Sequence, residues 1–539
     1  MAKGLQGGDK DKTAANRHRR VMAGRYRTPM STEYFDQLWH RRAILSAMAA
    51  LAVAPAIPVD AGARIMTDPF ALGVASGDPS QDGFVIWTRL VGPGQEPLDA
   101  AAVALRYEVA GDASFRRIFR AGSAVAHPER AHAVHVEIEG LPPGRRYWYR
   151  FHALGATSPA GRAATVPRTA DRLRLAVTSC QHWEQAQFGV YRDIVAADPD
   201  LIVQLGDYIY EQSYPDQPKV RLFGAAEPKD LDGYRRRHAL YKSDPELQAA
   251  HRAAPWIVTW DDHEVLNDYA NLANREGLPP ELFGRRRAAA YRAYFEHMPI
   301  RPSLWSNGNA PHLYRALDWA DLVSMSVLDT RQYRTAPPCA APNMARNVRL
   351  HGCAEVDRPD RSMLGGAQEQ WLTARLAGEY RPWTLIAQQI FFAPLYLDGA
   401  RSETFSDQWD AYAAARARLL DRLAGPSIQN PFVLSGDVHS FWVNELRRAD
   451  REAAIGAEIV TSALGAASPP AGRFGDVHAN NPHVRHSDVD HAGYVLIDLD
   501  RRQMQADMRA IADRASVDSP VRSARCFVSE RGSRRISLA

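Results

Sequence analysis

Residues 172–211 read RLRLAVTSCQHWEQAQFGVYRDIVAADPDLIVQLGDYIYE: an apolar run, a helix-like stretch and a second apolar run. RLRLAVTSC alternates as a strand. VYRDIVAADP carries helical spacing and stops at Pro199, and DLIVQLGD is apolar enough to be a fully buried strand. A strand–helix–strand unit of this length implies parallel neighbours joined by a right-handed crossover. Both strands end in groups with metal or acid–base chemistry: Cys180 on the first, Asp207 and Tyr210 just past the second.

The pattern repeats downstream. PWIVTWDDHEV (255–265) runs into Asp261, Asp262, His263 and Glu264, and PFVLSGDVHS (431–440) runs into Asp437 and His439. DLVSMSVLD, WTLIAQQI, AEIVTSAL and YVLIDLD are further strands, and GAQEQWLTARLAG and WDAYAAARARLLDRLAG are helices between them. This is an α/β architecture with a large sheet or two stacked sheets covered by helices. Ligands to such sheets collect at the carboxyl ends of the strands, so four strand ends would deliver a thiol, carboxylates, a phenol and imidazoles to one point. Carboxylates crowded together need a compensating positive charge, which multivalent cations supply. A phenolate calls for a hard, highly charged ion such as Fe³⁺, with which a thiolate is compatible. The carboxylate oxygens alone suit Ca²⁺, Mg²⁺ or Mn²⁺. The mixed donor set therefore points to at least two metals. Taken singly, each residue has a structural reading: a helix cap or turn for the Asp, packing for the Tyr, an inert core thiol for the Cys.

Upstream the texture differs. FVIWTRL, LRYEVAG, AVHVEIEG and RRYWYRFHA alternate and are separated by turn formers such as GDPSQDG, which indicates an all-β sandwich of the immunoglobulin or fibronectin kind over residues 67–168. The 539 residues carry a net charge of +4, and residues 1–42 alone account for +6. The basic balance belongs to that tail and gives no ground for a nucleic-acid surface. HRRAILSAMAALAVAPAIPVDAGA (40–63) pairs Arg41–Arg42 with a weakly apolar stretch and a small-residue cleavage point, the pattern of a twin-arginine export signal. It is too short and Pro-broken for a comfortable membrane span, and no other segment is long enough. The expected localisation is periplasmic or secreted. Of the four cysteines, Cys339 and Cys353 flank a loop-like segment and are the expected disulfide pair, Cys180 is set apart as a ligand, and nothing assigns Cys526.

VTSCQ, GDYIYE, WDDHEV and SGDVH, in that order, resemble the PhoD-like alkaline phosphatases, a branch of the calcineurin-like metallophosphatases, over about residues 70–500. The resemblance implies a two-sheet αββα catalytic core (residues 169–510) behind the β-sandwich, a signal segment (1–66) and a C-terminal extension (511–539). It also implies hydrolysis of phosphate mono- or diesters by a metal-activated hydroxide. Carried over by position, Cys180, Asp207, Tyr210 and His439 would hold Fe³⁺, and Asp207 would bridge to one or two Ca²⁺ with Asp262 and Asp437 among the ligands. Asn267 would be a further calcium ligand. Asp262 replaces the Asn of the wider superfamily's metal motif, and His263 takes the place of the histidine near the leaving group.

LDTRQYR (328–334) offers Arg331 or Arg334 for a phosphate oxygen, with buried pairing to Asp329 as the competing reading. NNPHVRHSDVDH (480–491) offers His483 as a substrate-lining group, with solvated loop histidines as the competing reading. Two other functions stand against the phosphoesterase. A surface-binding protein with a degenerate catalytic domain would be expected to have lost some of these ligands. A non-haem iron oxygenase fits less well, because it favours two His and one carboxylate.

Overall fold

The computed structural model describes residues 68–99, 101–305, 311–378, 380–449, 452–470 and 472–539. The export-signal reading around Arg41–Arg42 lies outside them. Residues Ile65–Ala539 form one compact unit. Among the described residues no helix is long and apolar enough to cross a membrane.

Two large sheets organise the unit. In the first, the parallel trio Arg172–Thr178, Leu201–Gln204 and Trp256–Val258 lies at the centre, with Leu201 opposite Leu175 and Ile202 opposite Trp256. Ala492–Asp500, Gln503–Ile511, Val521–Glu530 and Ser537–Leu538 extend it antiparallel on one side, so the segment after residue 511 continues the sheet. On the other side stand Val74–Gly77, Phe84–Arg89 and Ala133–Ile138. The second sheet runs Arg315–Trp319, Val323–Val327, Trp383–Ala387, Pro431–Ser435, Gly456–Val460, Phe441–Leu446 and Val484–Asp488.

Alternation within these strands sets the core. Leu173, Leu175, Val177, Leu201, Val203 and Ile257 of the first sheet pack with Val323, Met325, Val327, Leu385, Phe432, Leu434 and Ile459 of the second. The opposite face of the first sheet (Ala176, Ile202, Trp256, Val258) packs on residues of the helices Val190–Ala196, Leu231–Lys242, Pro245–Ala253 and Pro280–His297. The opposite face of the second (Ile386, Val433, Val460) packs on Gly365–Ala377 and Ala413–Leu423. Both faces are therefore covered, which is why the central strands read as continuous apolar runs.

The strands of residues 74–164 divide between two sheets. Val74–Gly77, Phe84–Arg89 and Ala133–Ile138 belong to the long sheet, while Val103–Ala110, Ile118–Ala126, Arg146–Ala153, Ala156–Thr157 and Gly161–Ala164 form their own, and the two share a core of Phe84, Ile86, Val109, Tyr147 and Phe151. Gly77 pairs with Trp256, and a Cβ there would lie 2.1 Å from the Pro299 carbonyl, so only glycine permits this junction. Cys339 and Cys353 are disulfide-bonded. Cys180 is free and buried, and Cys526 is free and half-buried.

Candidate active site

The strand ends converge. Cys180, Asp207 and His439 each place a ligand atom within 4.8 Å of the others, as do Asp207, Asp262 and His263, then Asp261, Asp262 and Asp437, and finally Asp262, Asp268 and Asp407. The Tyr210 hydroxyl donates to Asp207 Oδ2 (2.9 Å) and lies 3.1 Å from His439 Nε2. Asp207, Tyr210, Asp262, His263, Asn267, Asp437 and His439 line a cleft of about 350 Å³, together with Tyr214, Phe405, Gln408, Arg473 and Phe474.

Backbone conformation aims these side chains. Cys180, Asp207, Asp437 and His439 all have positive φ (58°, 55°, 67° and 54°), a left-handed geometry that non-glycine residues avoid unless their surroundings impose it. Glycines open the way just before two of them. A Cβ at Gly206 would lie 2.5 Å from Asp261 Cβ, and one at Gly436 would lie 2.4 Å from Ser179 Oγ. The LGD and SGD sequences thus let neighbouring strand ends touch.

Polar partners hold the arrangement. His439 Nδ1 lies 2.8 Å from the Ala467 carbonyl, which fixes the tautomer with Nε2 bare toward Tyr210 and Asp207. Burial drops the His439 pKa to about 4, helped by the charges of His263 and Arg473. Glu264 accepts the amides of Asp207 (3.0 Å), Tyr208 (2.6 Å) and Asp261 (2.8 Å), tying the second and third strand ends together. His263 Nδ1 lies 2.6 Å from buried Glu211 Oε2, and its Nε2 lies 3.2 Å from the Tyr214 hydroxyl. Burial works against the imidazolium, but Tyr214, Glu211, Asp207 and Asp262 outweigh it and hold the His263 pKa well above the ordinary value.

Burial and crowding act together on the acids and the thiol. Burial first, and then the neighbouring Asp262, Glu264 and Asp437, push the Asp207 carboxyl well above the usual range against the pull of His263. Burial also pushes up Cys180 and Tyr210, and Asp207 adds to both. Asp437 rises to about 6, chiefly from burial. Asp262 runs the other way: burial opposes its ionisation, yet Arg331, His263 and the Asp268 amide hold it below the carboxylate norm. Asp262 Oδ1 and Asp407 Oδ2 are buried with no hydrogen-bond partner. Buried polar atoms are ordinarily satisfied, so a cluster of acids with orphaned oxygens fits cations.

Arg331 lies beneath this cluster, fully buried. Its guanidinium pairs with Asp261 and Asp407 (2.8 Å to the latter) and comes within 3.6 Å of Asp262 and Asp437. Asp329 instead accepts its main-chain amide (3.0 Å). Arg331 is absent from the cleft lining, because its donors are turned to these acids. His483 is likewise absent from the lining: its Nε2 lies 2.8 Å from the Pro394 carbonyl. Asn267 does reach the cleft, where its Oδ1 accepts from Tyr214 (3.4 Å). Sequence reading missed Glu211, Tyr214, Asp268, Asp407 and Gln408. Gln408 donates to Asp437 Oδ2 (2.8 Å).

Residues 175–508 match the PhoD-like phosphatase family, and residues 53–167 match the N-terminal domain of PhoD-like phosphatases. The chain belongs to the PhoD-like phosphatase family. It is 40% identical over 476 residues to alkaline phosphatase D of Bacillus subtilis (strain 168), covering 85% of this chain and 80% of that one. A solved structure of PhoD superposes with a TM-score of 0.83 at 37% identity, covering 88% of this chain and 93% of that one. As a PhoD-like phosphatase the protein is a phosphoester hydrolase, and the acidic and histidine clusters give it sites fit for metal ions.

Proposed function

We propose that this PhoD-like phosphatase is an exported enzyme that hydrolyses phosphate mono- or diesters with Fe³⁺ and one or two Ca²⁺. The observation that carries the reading is the meeting of Cys180, Asp207, Tyr210 and His439 beside a cleft that also gathers the carboxylates of Asp262, Asp268 and Asp437. Thiolate, phenolate and imidazole would hold the iron, with Asp207 shared. Asp262 and Asp437, with Asn267, would hold one calcium, and the Asp262–Asp268–Asp407 group offers oxygens for a second. Bound there, the cations would supply Lewis-acid polarisation of the phosphoryl group and acidify water at neutral pH.

The chain's own groups do the rest. His263 holds its proton at Nε2, facing the cleft, and would deliver it to the leaving oxygen. Glu211 fixes the ring through Nδ1 and sustains the imidazolium. Tyr210 stacks on His263, with ring centroids 4.1 Å apart, and limits its rotation. Arg331 neutralises part of the acid cluster from below and helps hold Asp262 ionised.

The shared core between the two sheets, with helices packed on both outer faces, supports the αββα layout for residues 169–510. The two sheets that share the Phe84–Tyr147 core support a β-sandwich over residues 67–168. Export by the twin-arginine machinery to the periplasm or medium rests on Arg41–Arg42 and the stretch after them.

Metal analysis of the purified protein, paired with a chromogenic phosphate ester assay with and without Ca²⁺, tests the reading. Iron with a visible tyrosinate charge-transfer band, and Asp207→Ala devoid of both metal and activity, are the expected results. A colourless, iron-free, fully active enzyme would remove Cys180 and Tyr210 from the centre.

A further inference from the structure

The chain that leaves the strand Gly456–Val460 is fastened to the site at several points. Leu464 N bonds Ser179 O (2.9 Å), and the amides of Gly465 and Ala466 both bond the Cys180 carbonyl (3.1 Å each). The Ala467 carbonyl takes His439 Nδ1, and its amide bonds Gln185 Oε1 (2.7 Å). Past Pro469–Pro470 the Arg473 amide bonds the Pro470 carbonyl (3.1 Å). This brings Arg473 to the cleft wall, with its guanidinium carbon 4.9 Å from the centre of the Phe405 ring. Phe405 stands edge-on to Phe474 (6.2 Å), which stands edge-on to Trp442 (5.1 Å). The platform under Arg473 is therefore built from core aromatics, although the arginine itself is exposed.

Its charge is uncommitted. The cleft is lined by four carboxylates, two imidazoles and this one guanidinium. Arg331 and Arg334, the buried arginines near the acids, are spent on them. Among the described residues no carboxylate lies within ion-pair distance of Arg473. The contact with Phe405 orients the guanidinium through its face and leaves its N–H fork unused. A planar, permanently charged fork suits two oxygens of one phosphoryl group.

We propose that Arg473 binds non-bridging phosphoryl oxygens of the substrate and thereby favours the dianionic phosphate of a monoester over the monoanionic phosphate of a diester. The inference rests on the phosphoesterase reading. A monoester's second ionisation falls near pH 6, so above that pH its phosphoryl group carries about two charges and a diester's carries one. Attraction to a fixed guanidinium scales with that charge.

The test compares Arg473→Gln and Arg473→Lys with the wild type on 4-nitrophenyl phosphate and bis(4-nitrophenyl) phosphate, which share a leaving group, at alkaline pH. Metal content is measured on each sample. For Arg473→Gln the expected loss of kcat/KM is about tenfold on the monoester. It falls mostly in KM, with a clearly smaller loss on the diester, and inhibition by inorganic phosphate weakens in parallel. Arg473→Lys recovers part of the loss, and metal content stays at the wild-type level. Raised salt narrows the gap between wild type and Arg473→Gln. Equal losses on the two substrates, or no loss on either, overturn the inference while leaving the phosphoesterase reading intact. A metal-loaded wild type inert on both substrates overturns the phosphoesterase reading itself.

Discussion

Replacing Glu264 by Gln tests whether the site is held from behind by main-chain amides. The carboxylate is fully buried and takes Asp207 N and Asp261 N on Oε2 and Tyr208 N on Oε1. Burial raises its pKa to about 7 against the pull of those amides. Glutamine keeps the shape but puts an NH₂ where one oxygen stood, so in either orientation at least one amide meets a donor. A buried N–H left without an acceptor costs about 1–3 kcal/mol, and the remaining bonds lose their charge assistance. Relief of repulsion with Asp207 and Asp262 opposes this, leaving a net loss of about 2–3 kcal/mol. Over a unit spanning Ile65–Ala539, an unfolding entropy of roughly 2.1 cal/mol/K per residue gives about 1 kcal/mol/K, hence a drop of about 2–3 °C in melting temperature. The more sensitive readout is composition. Asp207 sits at φ 55°, and without the clamp its carboxylate should lose its aim, lowering the metal content of the purified protein. Calorimetry and elemental analysis of Glu264→Gln check both effects. Wild-type melting together with wild-type metal content would refute the clamp.

His263→Ala should keep its metals and lose on the order of 10²–10⁴ in rate on an ester with a poor leaving group. Much smaller losses are expected on an activated aryl ester, and equal losses on both would rule out proton donation. The buried histidines behind the site predict acid sensitivity. His238 has no partner on either ring nitrogen and stacks on His297 (4.9 Å), while His251 lies 2.8 Å from the Tyr208 hydroxyl and 3.0 Å from Lys242 Nζ. Burial, seconded by Lys242 for His238 and His251 and by Arg89 for His297, holds all three well below the ordinary value of 6.5. The unfolded chain then binds more protons below that pH, so their contribution is present above about pH 6.5 and lost on acidification. Thermal melts between about pH 7.5 and 5 should show the decline, and His238→Phe should flatten it. An unchanged slope in that variant would exclude His238 as a source.

Much of the architecture was legible because buried parallel strands leave continuous apolar runs, and a strand boundary marked by Gly-Asp or Asp-Asp stands out against them. The groups that orient the site were not. Glu264 stands among the strand-end acids that the sequence singles out, but its hold on three amides, like the hold of Glu211 on a ring, is made by folding and leaves no local signal. Asp407 follows a three-residue strand, Glu403–Phe405, too short to register as a pattern. Arg331 read as a partner for Asp329, two residues away. The guanidinium instead reaches Asp261 and Asp407, far off in the chain, because the two sheets bring their strand ends together. The pairing of Gly77 with Trp256 is also silent in sequence, since it spans about 180 residues and depends on one missing side chain.

The left-handed backbone at Cys180, Asp207, Asp437 and His439 bears on how this protein could be improved in the laboratory. Each such position costs a non-glycine residue about 1 kcal/mol or more. Glycine or asparagine at Cys180 or His439 would relax the chain, so selection for heat resistance alone would reward the very substitutions that take away proposed metal ligands. Libraries built for thermal tolerance should hold these four codons fixed, or screen every round for hydrolysis.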